Sequence, residues 1–253
     1  LSIMAAPTPA VVSAQWLAEA VENKLVGPKL RILDGSWYLA KTKRVAREEF
    51  SQKHIPGASD FGSYSAPRLW WMFRVFGLGS VSVLDGGLKN WLAEGHPVTS
   101  DYSEPERRDF QASLNQSWVK SFEDVLENIK TKQVQVVDSR SAGRFRGTEP
   151  EPREDVLPGH FPATINMPFT SFLDSSGKHL GTETLAKLFK EAGVDLEKPL
   201  WASCGFGVTA CHVILASYRL GYSGIGLYDG SWGEFFKRAP PEYIISEAEG
   251  KKE

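Results

Sequence analysis

Cysteine is nearly absent. The 253 residues hold two, Cys204 and Cys211. That excludes a disulfide framework and a cysteine-rich zinc site, and it suits a reducing, intracellular compartment. Five histidines show no metal-ligand spacing beyond the adjacent Cys211-His212, which reads as helix core. No metal and no other cofactor is expected. No apolar run approaches the ~18 residues of a membrane span. No sign of charge predominates: 29 Lys and Arg face 31 Asp and Glu, a net −2. A nucleic-acid partner drawn by a global basic field is therefore not expected, nor is a membrane partner. The opening LSIMAAPTPA is too short and Pro-rich for a secretory signal and lacks an Arg-rich transit pattern. Beginning at Leu1, the chain reads as processed or incomplete at that end, or as starting at Met4.

What is present is ample apolar material, 42% of residues, with 24% charged. A disordered chain is excluded, and the length fits one large domain or two small ones. Internal similarity then divides the chain. The apolar run LRILD ends at Asp34, and VQVVD ends at Asp138. HIPGA (54–58) faces PGHFPA (158–163). SVLDGG (82–87) faces GLYDGS (226–231), and each is followed by an amphipathic aromatic segment. Four landmarks in one order, twice, indicate a duplicated α/β unit. Residues 97–118, rich in Pro, Ser and charge, read as the linker. The expected domains are 1–96 and 119–245, with a charged tail over 246–253. Apolar runs ending at Asp138, Cys204 and Asp229 alternate with helical patterns at 119–130, 183–192 and 208–220. That alternation predicts mostly parallel sheets flanked by helices, with a ligand site at the strands' carboxyl ends.

The halves differ in their middle. His160 to Asp229 is 69 positions, and His54 to Asp85 is 31. Counting back 25 from each Asp sets Ser59-Asp60 against Ser203-Cys204. The first half is therefore 38 residues short and lacks the counterpart of roughly 165–202, including a central strand. Such a loss exceeds the ~5–15 kcal/mol that a domain has in reserve. The first domain is expected to be incomplete and to lean on the second or stay partly disordered.

The chemistry gathers at Cys204. Residues 199–203 read as a strand, and Cys204-Gly205-Phe206-Gly207-Val208-Thr209 as a turn into a helix closed by Gly221. Two glycines let the backbone curl its N–H groups inward, and with a helix N-terminus they favour an anion. Such surroundings activate a thiol as nucleophile. A buried structural cysteine in a glycine turn is the alternative. Cys211, two helical turns on, reads as core.

These residues carry a family resemblance. CGFGVTAC (204–211), VVDSRSAGRFRGTEPEPR (136–153), YDGSW (228–232), HIPGA (54–58) and YSAPRLWWMFR (64–74) resemble the tandem-domain rhodanese-type sulfurtransferases, nearest to the mercaptopyruvate-using branch. The resemblance covers nearly the whole chain apart from the gap. It implies two rhodanese-like α/β domains, the first an inactive copy. It also implies transfer of sulfur from 3-mercaptopyruvate, less readily from thiosulfate, through a Cys204 persulfide to a thiol, a thioredoxin-like reductant or cyanide. It implies a cytoplasmic and/or mitochondrial setting. Thiosulfate users carry CRKG where this chain has Gly205 and Phe206; mercaptopyruvate users carry CGSG or CGTG. Arg144 and Arg153 match the arginines that hold the donor's carboxylate and carbonyl, and Tyr64 matches a tyrosine lent by the first domain. The alternative for the arginines is pairing with Glu149, Glu151 or Glu154.

The departures are equally specific. Phe206 stands where the loop serine of a Ser/His/Asp relay belongs, and the His and Asp fall in the missing stretch. Loss of a positioned acid–base group typically costs ~10²–10⁴-fold. His54 and His160 read as structural. A Cys-loop phosphatase is not expected, because no arginine closes the loop: the sixth residue after Cys204 is Ala210. A shortened, non-catalytic form that only binds partners is the second reading.

Overall fold

A computed structural model describes residues 8–27, 30–36, 38, 42–60, 65–102 and 109–247. The chain divides into two compact units, residues 1–114 with 175–179, and residues 115–174 with 180–253.

The second unit runs β5 (Val119–Lys120), α5 (Phe122–Thr131), β6 (Gln135–Asp138), α6 (Ala142–Arg146), β7 (Thr164–Asn166), α7 (Thr182–Glu191), β8 (Leu200–Ser203), α8 (Ala210–Arg219), β9 (Gly226–Tyr228) and α9 (Ser231–Arg238). Its five strands form one parallel sheet in the order β5-β9-β8-β6-β7. Parallel strands are covered on both faces, so their side chains are apolar without alternation: Val136, Val137, Leu200, Ala202 and Leu227 are all buried. The aromatic residues Phe122, Phe161, Trp232 and Phe235 fill one face. Helix α5 starts where the Ser121 hydroxyl and the Asp124 carboxylate cap each other's backbone N–H. Helix α8 begins at Ala210 rather than 208, because Gly207 holds a left-handed φ of +74° just before it.

The first unit runs β1 (Val11–Val12), α1 (Ala14–Glu22), β2 (Ile32–Asp34), α2 (Ala46–Gln52), β3 (Ala58–Asp60), α3 (Ala66–Val75), β4 (Val83–Leu84) and α4 (Gly87–Ala93). It forms two separate two-stranded parallel sheets, β1-β4 and β2-β3. These are the outer pairs of the second unit, β5-β9 and β6-β7. Among the described residues no strand stands as the counterpart of β8, which joins them there. Its core gathers Ala14, Leu17, Phe50, Ile55, Ala58 and Trp91 between helices and strands.

The duplication is visible in detail. The Ser36 N–H donates to Asp34 Oδ1 at 2.8 Å, and the Arg140 N–H to Asp138 Oδ1 at 2.9 Å. His54 and His160 each make an isolated antiparallel bridge, to Thr99 and Ile245. Each offers Nδ1 to a carbonyl, of Phe50 at 2.7 Å and Phe145 at 2.8 Å, and stacks on that same phenylalanine. Both histidines are thus framework residues.

One expectation is corrected. Asp60 pairs with Asp34 in the register that sets Asn166 against Asp138. It therefore occupies the place of Asn166, not that of Cys204. Counting residues back from Asp85 assumes the deletion ends before Asp60, whereas the strand pairing puts Asp60 ahead of it. Within residues 97–118, Thr99 is bridged to His54 and the Ser113 N–H donates to Phe76 O at 3.0 Å. Residues 175–179 are held to the first unit by His179 Nδ1 on Asp85 Oδ1 (3.1 Å) and Lys178 on Glu94 (3.1 Å).

Candidate active site

Strand β8 is the middle strand of the sheet, and Cys204 follows its last residue, at the carboxyl edge where α/β ligand sites form. Cys204 is 2% exposed. Its loop is held from below by α9. The Ser231 hydroxyl accepts the N–H of Cys204 (3.1 Å) and of Gly207 (3.0 Å) and donates to Tyr228 O (2.8 Å). The Trp232 N–H donates to Cys204 O and the Gly233 N–H to Gly205 O, each at 3.0 Å. The amides of Cys204 and Gly207 are therefore committed to Ser231. The N–H groups of Gly205, Phe206, Val208 and Thr209 have no acceptor among the described residues. Thr209 instead spends its hydroxyl on Ser139, at 3.0 Å. Cys211 is fully buried, its thiol directed to Gly207 O at 3.5 Å, which makes it part of the core.

Arg144, on α6, reaches the loop. A side chain at position 205 would begin 2.8 Å from Arg144 Nη2, so glycine is the residue that admits the guanidinium. Arg144 is also paired with Glu151 at 2.5 Å and is 23% exposed. Behind it lies a buried ionic group. Arg140 bonds Asp138 at 2.6 Å, Glu151 at 2.8 Å and Gly159 O at 2.6 Å. Burial alone would lower the Arg140 guanidinium, but the Asp138 and Glu151 charges outweigh it and hold it above its ordinary range. Two cations and two carboxylates cancel, which makes the burial tolerable.

Arg153 also meets the loop, its guanidinium carbon 5.3 Å from the centre of the Phe206 ring. It is exposed and paired with Asp155 at 2.6 Å; Arg153 and then Lys237 hold the Asp155 carboxyl below its usual range. The acidic partners are thus Glu151 for Arg144 and Asp155 for Arg153. The Phe206 ring lies on Gly233: a side-chain carbon there would overlap it. Tyr64 lies outside the described residues. Among the described residues, no histidine or carboxylate hydrogen-bonds the Cys204 thiol, and no cluster of three His, Cys, Asp or Glu is placed to hold a metal.

Sequence reading missed Ser231 and Arg140; Glu151 was named as a partner for the arginines, and it pairs with Arg144 and also with Arg140. The signal for Ser231 was in the repeat: Gly87 occupies the matching position, and both have a left-handed φ, +57° and +51°.

The arrangement offers a buried thiol at a strand end, unpartnered loop amides, and two cations meeting the loop. No family model matches the chain. Human 3-mercaptopyruvate sulfurtransferase is 46% identical over 287 aligned positions, covering 96% of this chain and 97% of the human one. Bovine thiosulfate sulfurtransferase is 45% identical over 289, covering 96% and 97%. The human alignment exceeds this chain's 253 residues by 34, so at least that many positions of the relative face a gap. The crystal structure of SseA from Escherichia coli, described as a 3-mercaptopyruvate sulfotransferase of rhodanese fold, superposes with a TM-score of 0.74 at 29% identity, covering 89% of this chain and 99% of that one. With kinship at that level over nearly its whole length, the chain belongs to the rhodanese-type sulfurtransferases, the enzyme family of the 3-mercaptopyruvate and thiosulfate sulfurtransferases.

Proposed function

We propose that Cys204 carries the sulfur and that 3-mercaptopyruvate is the preferred donor. The Cys204 thiolate attacks the donor sulfur. The carbon–sulfur bond breaks and its electron pair leaves on carbon as the enolate of pyruvate, which takes the sulfhydryl proton. The cysteine is left as a persulfide. A thiolate acceptor then attacks the outer sulfur, the S–S bond breaks, and the Cys204 thiolate returns. Cyanide in the same role leaves as thiocyanate.

The observation that supports this most is the seat of Cys204 at the carboxyl end of the middle strand, with unpartnered loop amides beside it. Identity does not choose the donor, since the two classes of relative stand at 46% and 45%. What supports mercaptopyruvate is the loop, which bears no cation of its own to meet a thiosulfate dianion, while Arg144 stands against Gly205 as a candidate for the donor's carboxylate. The acceptor is a small thiol or a thioredoxin-like reductant. Two cysteines, both free, suit the reducing cytoplasm or mitochondrion as the setting.

The test is intact-protein mass after incubation with each donor. The parent chain and Cys211→Ser should gain one sulfur atom from mercaptopyruvate; Cys204→Ser should gain none. Arg144→Ala or Arg153→Ala should raise KM for mercaptopyruvate about 10–100-fold, the ~1.5–3 kcal/mol of a charged hydrogen bond. A parent chain that gains no sulfur from either donor would instead support the non-catalytic reading, to which the missing acid–base partner of Cys204 already lends weight.

A further inference from the structure

A cavity of about 740 Å³ lies inside the first unit, between its two strand pairs. Val12, Val83 and Leu84 line it from one pair, Ile32, Leu33 and Ala58 from the other. In the second unit the same interval is filled by β8, bonded to β9 on one side and β6 on the other. The equivalences are explicit. Asp34 and Asp138 make the same turn, so Leu33 matches Val137; Val83 and Leu84 match Leu227 and Tyr228 through their pairing with β1 and β5. Val137 is fully buried, whereas Leu33 is 37% exposed.

The backbone of the slot is equally open. The Ser139 N–H donates to Ser203 O of β8 at 2.9 Å. The matching Gly35 N–H has no acceptor among the described residues. Two facing parallel edges and an apolar floor form a template for an added strand. The volume is in the ~300–1,000 Å³ range of ligand sites.

We propose that this slot binds an extended, largely apolar segment of another polypeptide, which takes the place of the absent central strand. The sister sheet sets its form. It runs parallel to both neighbours, with four successive residues beside Arg31, Ile32, Leu33 and Asp34, as Leu200–Ser203 lie beside Gln135–Asp138. Its second and third residues lie beside Ser82 and Val83, as Trp201 and Ala202 lie beside Gly226 and Leu227. A segment buried on both faces has to be apolar throughout, as Leu200-Trp201-Ala202 is.

The probe is a synthetic peptide of residues 198–203, Lys-Pro-Leu-Trp-Ala-Ser, added to the full chain and followed by amide hydrogen exchange. The amides of Leu33, Gly35 and Leu84 should slow at least tenfold, while Val137 in β6 stays unchanged. The peptide carrying Ala202→Pro, which lacks a ladder N–H, should protect none of them. No protection by the parent peptide overturns the proposal. Equal protection by the proline peptide also overturns it, since the slot would then take apolar side chains without pairing. Protection that appears without peptide as protein concentration rises, together with a doubled mass in solution, assigns the slot to a second copy of this chain instead.

Discussion

Ser231 occupies a backbone angle that only glycine adopts freely, and the matching residue of the first unit is Gly87. What the serine contributes is its hydroxyl, which accepts the N–H of two buried loop residues, Cys204 and Gly207. Ser231→Ala should lower stability by about 1–3 kcal/mol, the cost of leaving buried donors unmade. Ser231→Gly loses the same bonds but relieves the angle, so it should be more stable than the alanine variant by about 1 kcal/mol or more. That reverses the usual order of the two residues within a helix, and urea midpoints of the three chains would show it. Phe206 is the other decisive position. Its ring covers Gly233 and meets Arg153, so Phe206→Ser removes half-buried packing worth up to about 2 kcal/mol. The same change opens the loop and returns a hydroxyl near the thiol. Sulfur transfer from mercaptopyruvate should rise about tenfold, ~1.4 kcal/mol of barrier, and Phe206→Lys should shift preference toward thiosulfate. Unchanged rates and preference in both variants would mean that this side chain does not shape the pocket.

Between elements, the two histidine clips tie strand-leading turns to the segments that close each unit. The His160 Nδ1 faces a carbonyl, which can only accept, so that nitrogen carries the proton. Burial, the largest influence, lowers the affinity of the ring for a second proton below its ordinary 6.5. The sign follows: below about pH 6.5 the unfolded chain binds more protons at this residue than the folded one. Stability from this group is therefore full above pH 6.5 and declines as pH falls toward the folded value. Urea midpoints of the second unit at pH 7.5 and 5.5 should differ by less in His160→Gln than in the parent chain. An equal difference would place the pH dependence elsewhere.

The two units should differ in how readily they open. The second has a continuous five-stranded sheet, and the first has two strand pairs with a cavity between them. Isolated two-stranded pairings are marginal, and amides opened locally report that directly. Hydrogen exchange in β1–β4 should be faster than in β6, β8 and β9, and limited proteolysis should cut within residues 1–114 before it cuts within 134–230. Early cleavage between β6 and β9 with the first unit intact would contradict this reading.

The sequence by itself determined the duplication, the parallel α/β class, the deleted strand and the place of Cys204, because each depends on local pattern: apolar runs ending in Asp or Cys, turn motifs repeated in order, glycines beside a cysteine. The missing β8 counterpart was legible from spacing alone, since 38 absent residues exceed any loop adjustment. Its edge was not, and Asp60 was matched to Cys204 when strand register sets it opposite Asp34. Register depends on which backbone groups pair across the sheet, and counting along one chain does not contain that. The same holds for the site. Cys204 and the loop glycines follow from order along the chain, and Arg144 from the family resemblance. Ser231 under the loop, Glu151 holding both Arg140 and Arg144, and Phe206 lying on Gly233 join residues 7 to 27 positions apart. Only the folding of α6, α8 and α9 around one sheet brings them within hydrogen-bonding and packing distance, and only there do burial and shared charge decide what each side chain does.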